Sequence, residues 1–196
     1  MAVRLVSILG MFVASMGGTV RTAEGQDRKN VVVFQVGPSW PSGGTLALKG
    51  WVEGVEYRRQ IRSGLDASLN WGTVFEWDGR GPSSAAGSLY HLGVHSVRRS
   101  DRNRVYYGGG PSIARYAGQV GVFGASCPTC GRRSGAGVFG VAGVERRIGT
   151  KLASVDGVLA VEGTVDRVWT SGIVADRPRR TGDTWTTVRF NLGFAW

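Results

Sequence analysis

The 196 residues carry 24 Lys and Arg against 14 Asp and Glu, a formal charge of +10, with 42% hydrophobic content and 32 glycines. That length suits one domain, the apolar content excludes a chain disordered for want of a core, and the absence of a G-X-Y period excludes collagen. So basic a chain looks for an anionic partner, nucleic acid or a membrane surface.

The first element is a targeting segment. Arg4 supplies a positive start, Leu5 to Val20 is uncharged and mostly apolar or small, and Arg21, Glu24, Asp27, Arg28 and Lys29 follow. The apolar run falls short of the roughly 20 residues a spanning helix needs and fits a cleaved signal peptide over residues 1–23, with cleavage between about 17 and 23. Ser15, Gly17 and Ala23 are the small residues that offer cleavage points. An export signal argues against a nucleic-acid partner. The mature domain is expected over 24–196, and after Val31 no apolar run reaches helix-spanning length.

The mature region alternates with period two, so we expect an all-β chain of eight strands, near 31–37, 45–59, 65–77, 88–98, 104–115, 136–147, 151–165 and 184–196. In the third, Ala67, Leu69, Trp71, Thr73, Phe75 and Trp77 alternate with Asp66, Ser68, Asn70, Gly72, Val74 and Glu76. In the seventh, Leu159, Val161 and Val165 oppose Asp156, Ala160, Glu162 and Thr164. The last strand puts Val188, Phe190, Leu192, Phe194 and Trp196 on one face and Arg189, Asn191, Gly193 and Ala195 on the other. An extra strand over 117–125 would make ten strands the alternative.

Connectors after the second, fourth and sixth strands are short (Ile61–Gly64, Arg99–Asn103, Ile148–Thr150), and those after the third, fifth and seventh are expected to be long. Short turns on one side and long loops on the other suit an antiparallel up-and-down transmembrane β-barrel.

With the strands placed, three segments resemble the small outer-membrane protein β-barrel family, of the outer-membrane protein A transmembrane-domain type. Arg104-Val-Tyr-Tyr-Gly-Gly-Gly110 looks like its fifth strand, and Gly143-Val-Glu-Arg-Arg-Ile-Gly-Thr-Lys-Leu152 like its periplasmic hairpin. Phe190-Asn-Leu-Gly-Phe-Ala-Trp196 is similar to the terminal signal read by the barrel assembly machinery, with Trp where Phe is usual. The resemblance implies a monomer in the outer membrane of a Gram-negative-type bacterium, touching outer-membrane lipids and lipopolysaccharide. It also implies that Phe190, Leu192, Phe194 and Trp196 act as the assembly signal.

Several side chains invite chemistry. Cys127 and Cys130 form a C-x-x-C in the loop 116–135. The spacing can serve redox or half a zinc site, but no strand–helix unit or further ligand set accompanies it. In an oxidising compartment a disulfide within the loop is expected. His91 and His95 share one strand face about 13 Å apart, too far for a common metal. No Ser–His–acid set is recognisable, so we expect no enzyme and no cofactor.

By parity Glu56, Glu76, Glu145, Asp156, Glu162 and Arg189 face the lumen, where acids and bases would pair in a closed network. Arg58, Arg59, Arg62, Arg98, Arg99, Arg102, Arg104, Arg146, Arg147 and Lys151 are expected as a cationic ring at the short-turn rim. Arg132, Arg133, Arg177, Arg179 and Arg180 are expected in the long loops, within reach of lipopolysaccharide phosphates.

The function expected is a structural outer-membrane barrel with surface loops and at most minor conductance or binding. The alternatives are a lipid A-modifying barrel enzyme and a soluble periplasmic barrel binding a small apolar ligand.

Overall fold

A computed structural model describes residues 29–43, 50–77, 82–100, 102–120, 133–149, 155–174 and 177–196. The signal segment, Cys127, Cys130, Arg132 and Lys151 lie outside the described residues. So do the side chains of Glu76, Arg133, Arg177, Arg179 and Arg180.

The described chain is all β: β1 (Asn30–Gly43), β2 (Gly50–Arg62), β3 (Leu65–Trp77), β4 (Pro82–Ser100), β5 (Asn103–Val120), β6 (Arg133–Gly149), β7 (Asp156–Val174) and β8 (Arg177–Ala195). Each strand pairs antiparallel with the next, and β8 returns to β1, closing a barrel of eight strands. Closure leaves no sheet edge to be covered. The clasp is symmetrical: the Asn30 and Trp196 backbones exchange both N–H···O bonds at 3.0 Å.

Register fixes the shape. Arg98 pairs with Val105, then the row runs through Val144, Val161, Phe190, Val36, Glu53 and Thr73 and returns to β4 at Ser88. One circuit therefore slips from Arg98 to Ser88, ten residues along the strand. For eight strands that stagger tilts them by about 40°, so the ten-residue offset projects to about 25 Å along the barrel axis.

The strands outrun the expected ones. β1 reaches Gly43 rather than 37, and β8 starts at Arg177 rather than 184, while β7 begins at Asp156, later than 151. The segment 117–125 supplies no separate strand, because β5 itself continues to Val120. The connectors after the third and seventh strands, expected to be long, span only 78–81 and 175–176. Gly, Pro and Ser composition hid the extension: residues that read as loop pair in register, as in Ser171↔Arg180 and Gly172↔Arg179. Arg133 accordingly opens β6, and Arg177, Arg179 and Arg180 belong to β8, not to loops.

Two local features follow from backbone chemistry. The two-residue turn 63–64 needs a left-handed residue, and Gly64 supplies it at φ 75°. In β5, pairing with β4 runs through His91↔Ser112 and resumes at Val94↔Gly109, and Pro111, which has no N–H, sits in the gap.

Candidate functional site

Because side chains alternate across a strand, every second residue enters the lumen. The inward set is polar and charged to a degree unusual for an interior: Gln35, Glu56, Arg58, Asp66, Asn70, Arg104, Glu145, Glu162, Asp166 and Arg189 are all at most 3% exposed. Burying charge on this scale requires pairing, and pairing is what the lumen holds.

Glu145 is one hub. Its Oε2 lies 2.9 Å from Arg58 Nη2, and its Oε1 lies 3.2 Å from both Arg104 Nη1 and Arg147 Nε. Arg104 reaches on to Asp66 Oδ2 at 2.5 Å, and Arg58 Nε to Glu56 Oε2 at 3.5 Å.

Gln35 is the second hub. Its Nε2 donates to Glu162 Oε1 at 2.9 Å and to Glu56 Oε2 at 3.2 Å. Its Oε1 accepts from Asn70 Nδ2 and from Arg189 Nη1. Tyr106 Oη donates to Glu162 Oε2 at 2.7 Å, and the Arg58 guanidinium lies 4.8 Å from the Tyr106 ring centre. Gly143 makes room for this: a Cβ there would stand 2.5 Å from Tyr106 Cζ and 2.9 Å from Glu162 Cβ. Carboxylates and guanidiniums on six strands thus alternate through space, with Gln35 of β1 joining them.

Apolar clusters seal the polar layer. Val52, Val74, Leu89, Ala114, Val168 and Trp185 pack together towards the end opposite the termini, and Val31, Val33, Val158 and Ala195 fill the wall near the termini. Val97, Tyr106, Phe139 and Val141 form a third group. An eight-stranded barrel has an interior that side chains just fill.

The two histidines lie inside this packing, each 1% exposed. His91 Nε2 is 2.7 Å from Asp166 Oδ1, and its ring stacks on Phe139 at 4.3 Å. His95 Nε2 is 3.1 Å from Ser68 Oγ, and its ring stacks on Tyr106. The sequence offers no recognisable Ser–His–acid set, and the structure adds a Ser–His contact: adjacency of β3 and β4 places Ser68 beside Gly93, two residues from His95. The pair is not a triad. His95 Nδ1 has no hydrogen-bond partner, and Ser68 is only 3% exposed, out of a substrate's reach. Among the described residues no group of three or more His, Cys, Asp or Glu could hold a metal ion.

Of the side chains expected in the lumen, Glu56, Glu145, Glu162 and Arg189 meet in it. Asp156 keeps the inward parity but sits at the end of β7, opposite Ala195 and only half-buried. Arg58 and Arg104, expected at the rim, are buried in the lumen, 1% and 3% exposed. Parity overrides clustering here: Arg58 follows Glu56 by two, and Arg104 precedes Tyr106 by two, so each shares its neighbour's inward face. The same parity could have found Gln35, Asp66 and Asp166, which sequence reasoning missed. Arg59, Arg62, Arg98, Arg102 and Arg146 do line the exposed rim beside the termini, with Arg99 and Arg147 half-buried there.

The outer surface is the inverse of the lumen. Leu69, Leu92, Val94, Val144, Val161, Phe190 and Leu192 are 48–61% exposed, and with Phe34, Val36, Val55, Val105 and Val165 they ring the barrel. One edge of this band carries Arg59, Arg98 and Arg146 together with Tyr57, Tyr107, Phe194 and Trp196. The other carries Trp40, Trp51, Tyr90 and Trp169 before Arg115 and Arg167. Glu53, beside Trp51, is the outward acid of this upper half among the described residues.

No family model and no curated protein matches the sequence. Among solved structures, the chain is similar to the N-terminal β-barrel domain of OprF from Pseudomonas aeruginosa, at 12% identity and a TM-score of 0.46, over 85% of this chain and 99% of that one. It is also similar to the outer membrane protein OprG of the same organism, at 9% identity and a TM-score of 0.45, over 87% of this chain and 96% of that one.

Proposed function

We propose that this chain is a structural barrel of a Gram-negative-type outer membrane, its lumen closed by a charged plug and its apolar band seated in lipid. The observation that carries the proposal is the inversion of polarity across one wall. Glu145 is 0% exposed on the inward side of β6, while Val144 next to it is 55% exposed on the outward side. A soluble barrel buries its apolar face and hydrates its charges; a contiguous apolar ring of this size is otherwise an association or aggregation hazard. The band is closed around the barrel, and aromatic side chains mark both of its edges, as in the apolar band of outer-membrane barrels. On this reading the terminal rim faces the periplasm, and Phe190, Leu192, Phe194 and Trp196 present the assembly machinery with the last strand.

The lumen supports a scaffold in place of a channel or an enzyme, because its carboxylates and guanidiniums pair with one another across the bore. Fractionation tests the reading. The mature chain should sediment with outer membranes and migrate faster on gels unheated than heated, as closed barrels do. A chain released whole by osmotic shock would sink it.

A further inference from the structure

The outward face of β5–β8 is not uniformly ridged. Ala142 and Gly163 stand opposite each other on β6 and β7, both exposed. Between the flanking walls of Val105, Tyr107, Val144, Val161 and Val188 they leave a groove of about 530 Å³. A Cβ added at Gly163 would meet nothing within 4 Å, so the depression is open space and not a close backbone contact. The groove ascends from the arginine rim towards mid-band, because Val105 and Val144 pair at its foot and Gly163 pairs with Val188 above.

The foot is charged. Arg98 pairs with Val105 on one side of β5, and Arg146 pairs with Asn103 on the other. One strand, β5, lies between them, two strand spacings across and two residues along, about 12 Å, and both are exposed. Among the described residues neither has an ion-pair partner, whereas inward-facing Arg58, Arg104 and Arg189 are all paired. Exposed Arg59, Arg62 and Arg102 add positive field along the same rim.

We propose that groove and arginines together bind one anionic phospholipid of the periplasm-side leaflet, an acyl chain lying along Ala142 and Gly163 and the phosphodiester held between Arg98 and Arg146. The proposal rests on the membrane reading above. A guanidinium offers forked donors that match a phosphate, and a headgroup with no cation of its own leaves that match unopposed. A second copy of the chain fits the groove less well. Copies inserted the same way would bring rim against rim, opposing arginines with arginines.

The test uses the full chain extracted from outer membranes in mild detergent, with phosphatidylglycerol and phosphatidylethanolamine of identical acyl chains added in equal amounts and bound lipid read by native mass spectrometry. We expect one retained lipid, phosphatidylglycerol favoured about tenfold, and no displacement by millimolar inorganic phosphate. The R98Q/R146Q double variant should lose the headgroup preference, and Gly163→Leu should lose the retained lipid of either kind, both keeping the heat-dependent gel shift of the folded barrel. Equal retention of the two lipids by the unaltered protein, or a preference that survives R98Q/R146Q, overturns the site. So does a dimer mass that Gly163→Leu abolishes, since the groove would then be a protein interface. A chain that never reaches the outer membrane overturns the membrane reading itself, a result distinct from a membrane-borne barrel without lipid preference.

Discussion

Tyr106 Oη donates to Glu162 Oε2 at 2.7 Å through space that Gly143, on the strand between them, leaves vacant. Both residues are at most 2% exposed. Gly143→Leu would drive carbon into the Tyr106 ring, and overpacking of this kind costs about 1–3 kcal/mol. Tyr106→Phe removes the donor and leaves a buried carboxylate oxygen short of one bond, about 1–3 kcal/mol. Urea unfolding in detergent, followed by tryptophan fluorescence, should show both variants less stable than the parent. A neutral Gly143→Leu would mean that the lumen is loosely filled.

Glu145 faces three guanidiniums. Replacing it by Gln removes the acid that Arg58 and Arg104 share, leaving Arg58 with Glu56 and Arg104 with Asp66 as their remaining acids, and breaking a buried network in this way costs up to about 3–5 kcal/mol. Arg147→Gln removes a partly exposed partner of the same carboxylate and should cost less than about 1 kcal/mol. The ratio of the two losses, measured in one urea series, is the diagnostic. Equal losses would contradict a buried hub.

Charge on the outer wall should hurt according to depth. Phe190→Arg lies near mid-band and should cost about 2–4 kcal/mol, whereas Phe194→Arg, beside the arginine rim, should cost about 0–1 kcal/mol. Refolding yields into phospholipid vesicles report the difference. If both variants refold like the parent, the outward band does not meet lipid.

Deleting Trp196 removes one partner of the double backbone bond to Asn30 as well as a rim aromatic. We expect severalfold less folded barrel in cells, with Trp196→Phe close to the parent because the backbone pairing and the ring are kept. Heat-shifted band intensity in membrane fractions measures this, and normal amounts of the deletion variant would remove the terminal residue from the assembly signal.

The double variant H91A/H95A separates scaffold from catalyst. Lipid A mass spectra from expressing cells should be the same with parent and variant. An acyl chain gained or lost with the parent and restored with the variant would make Ser68 and His95 a working pair.

What was legible in the sequence was parity. A strict period of two placed Phe190 and Leu192 outside and Arg189 and Asn191 inside, because an apolar outer face and a charged lumen call for opposite side chains. Strand ends were not legible. Beyond the apolar band a ribbon has no apolar face to reveal its period, so Ser171 and Arg180 look like loop although they pair. Nor were lumen partners: Gln35 and Glu162 are 127 positions apart, and only the stagger of the barrel decides that they meet. Grouping arginines by local density also misled, since Arg58 and Arg59 adjoin in the chain yet stand on opposite sides of the wall.

The clasp between the first strand and the last has a kinetic meaning. Thr187 donates to Ser39 across 148 positions, and Arg189 reaches Gln35 across 154. Neither contact forms until both the first strand and the last are present. Every other ladder joins neighbours in sequence and could arise hairpin by hairpin, but the seam that seals the ring is of the highest contact order in the molecule and bears the largest loop-closure entropy. A nascent or truncated chain therefore keeps two open strand edges, able to pair with other chains. Closure of that seam, and with it the loss of both edges, therefore waits on the last strand.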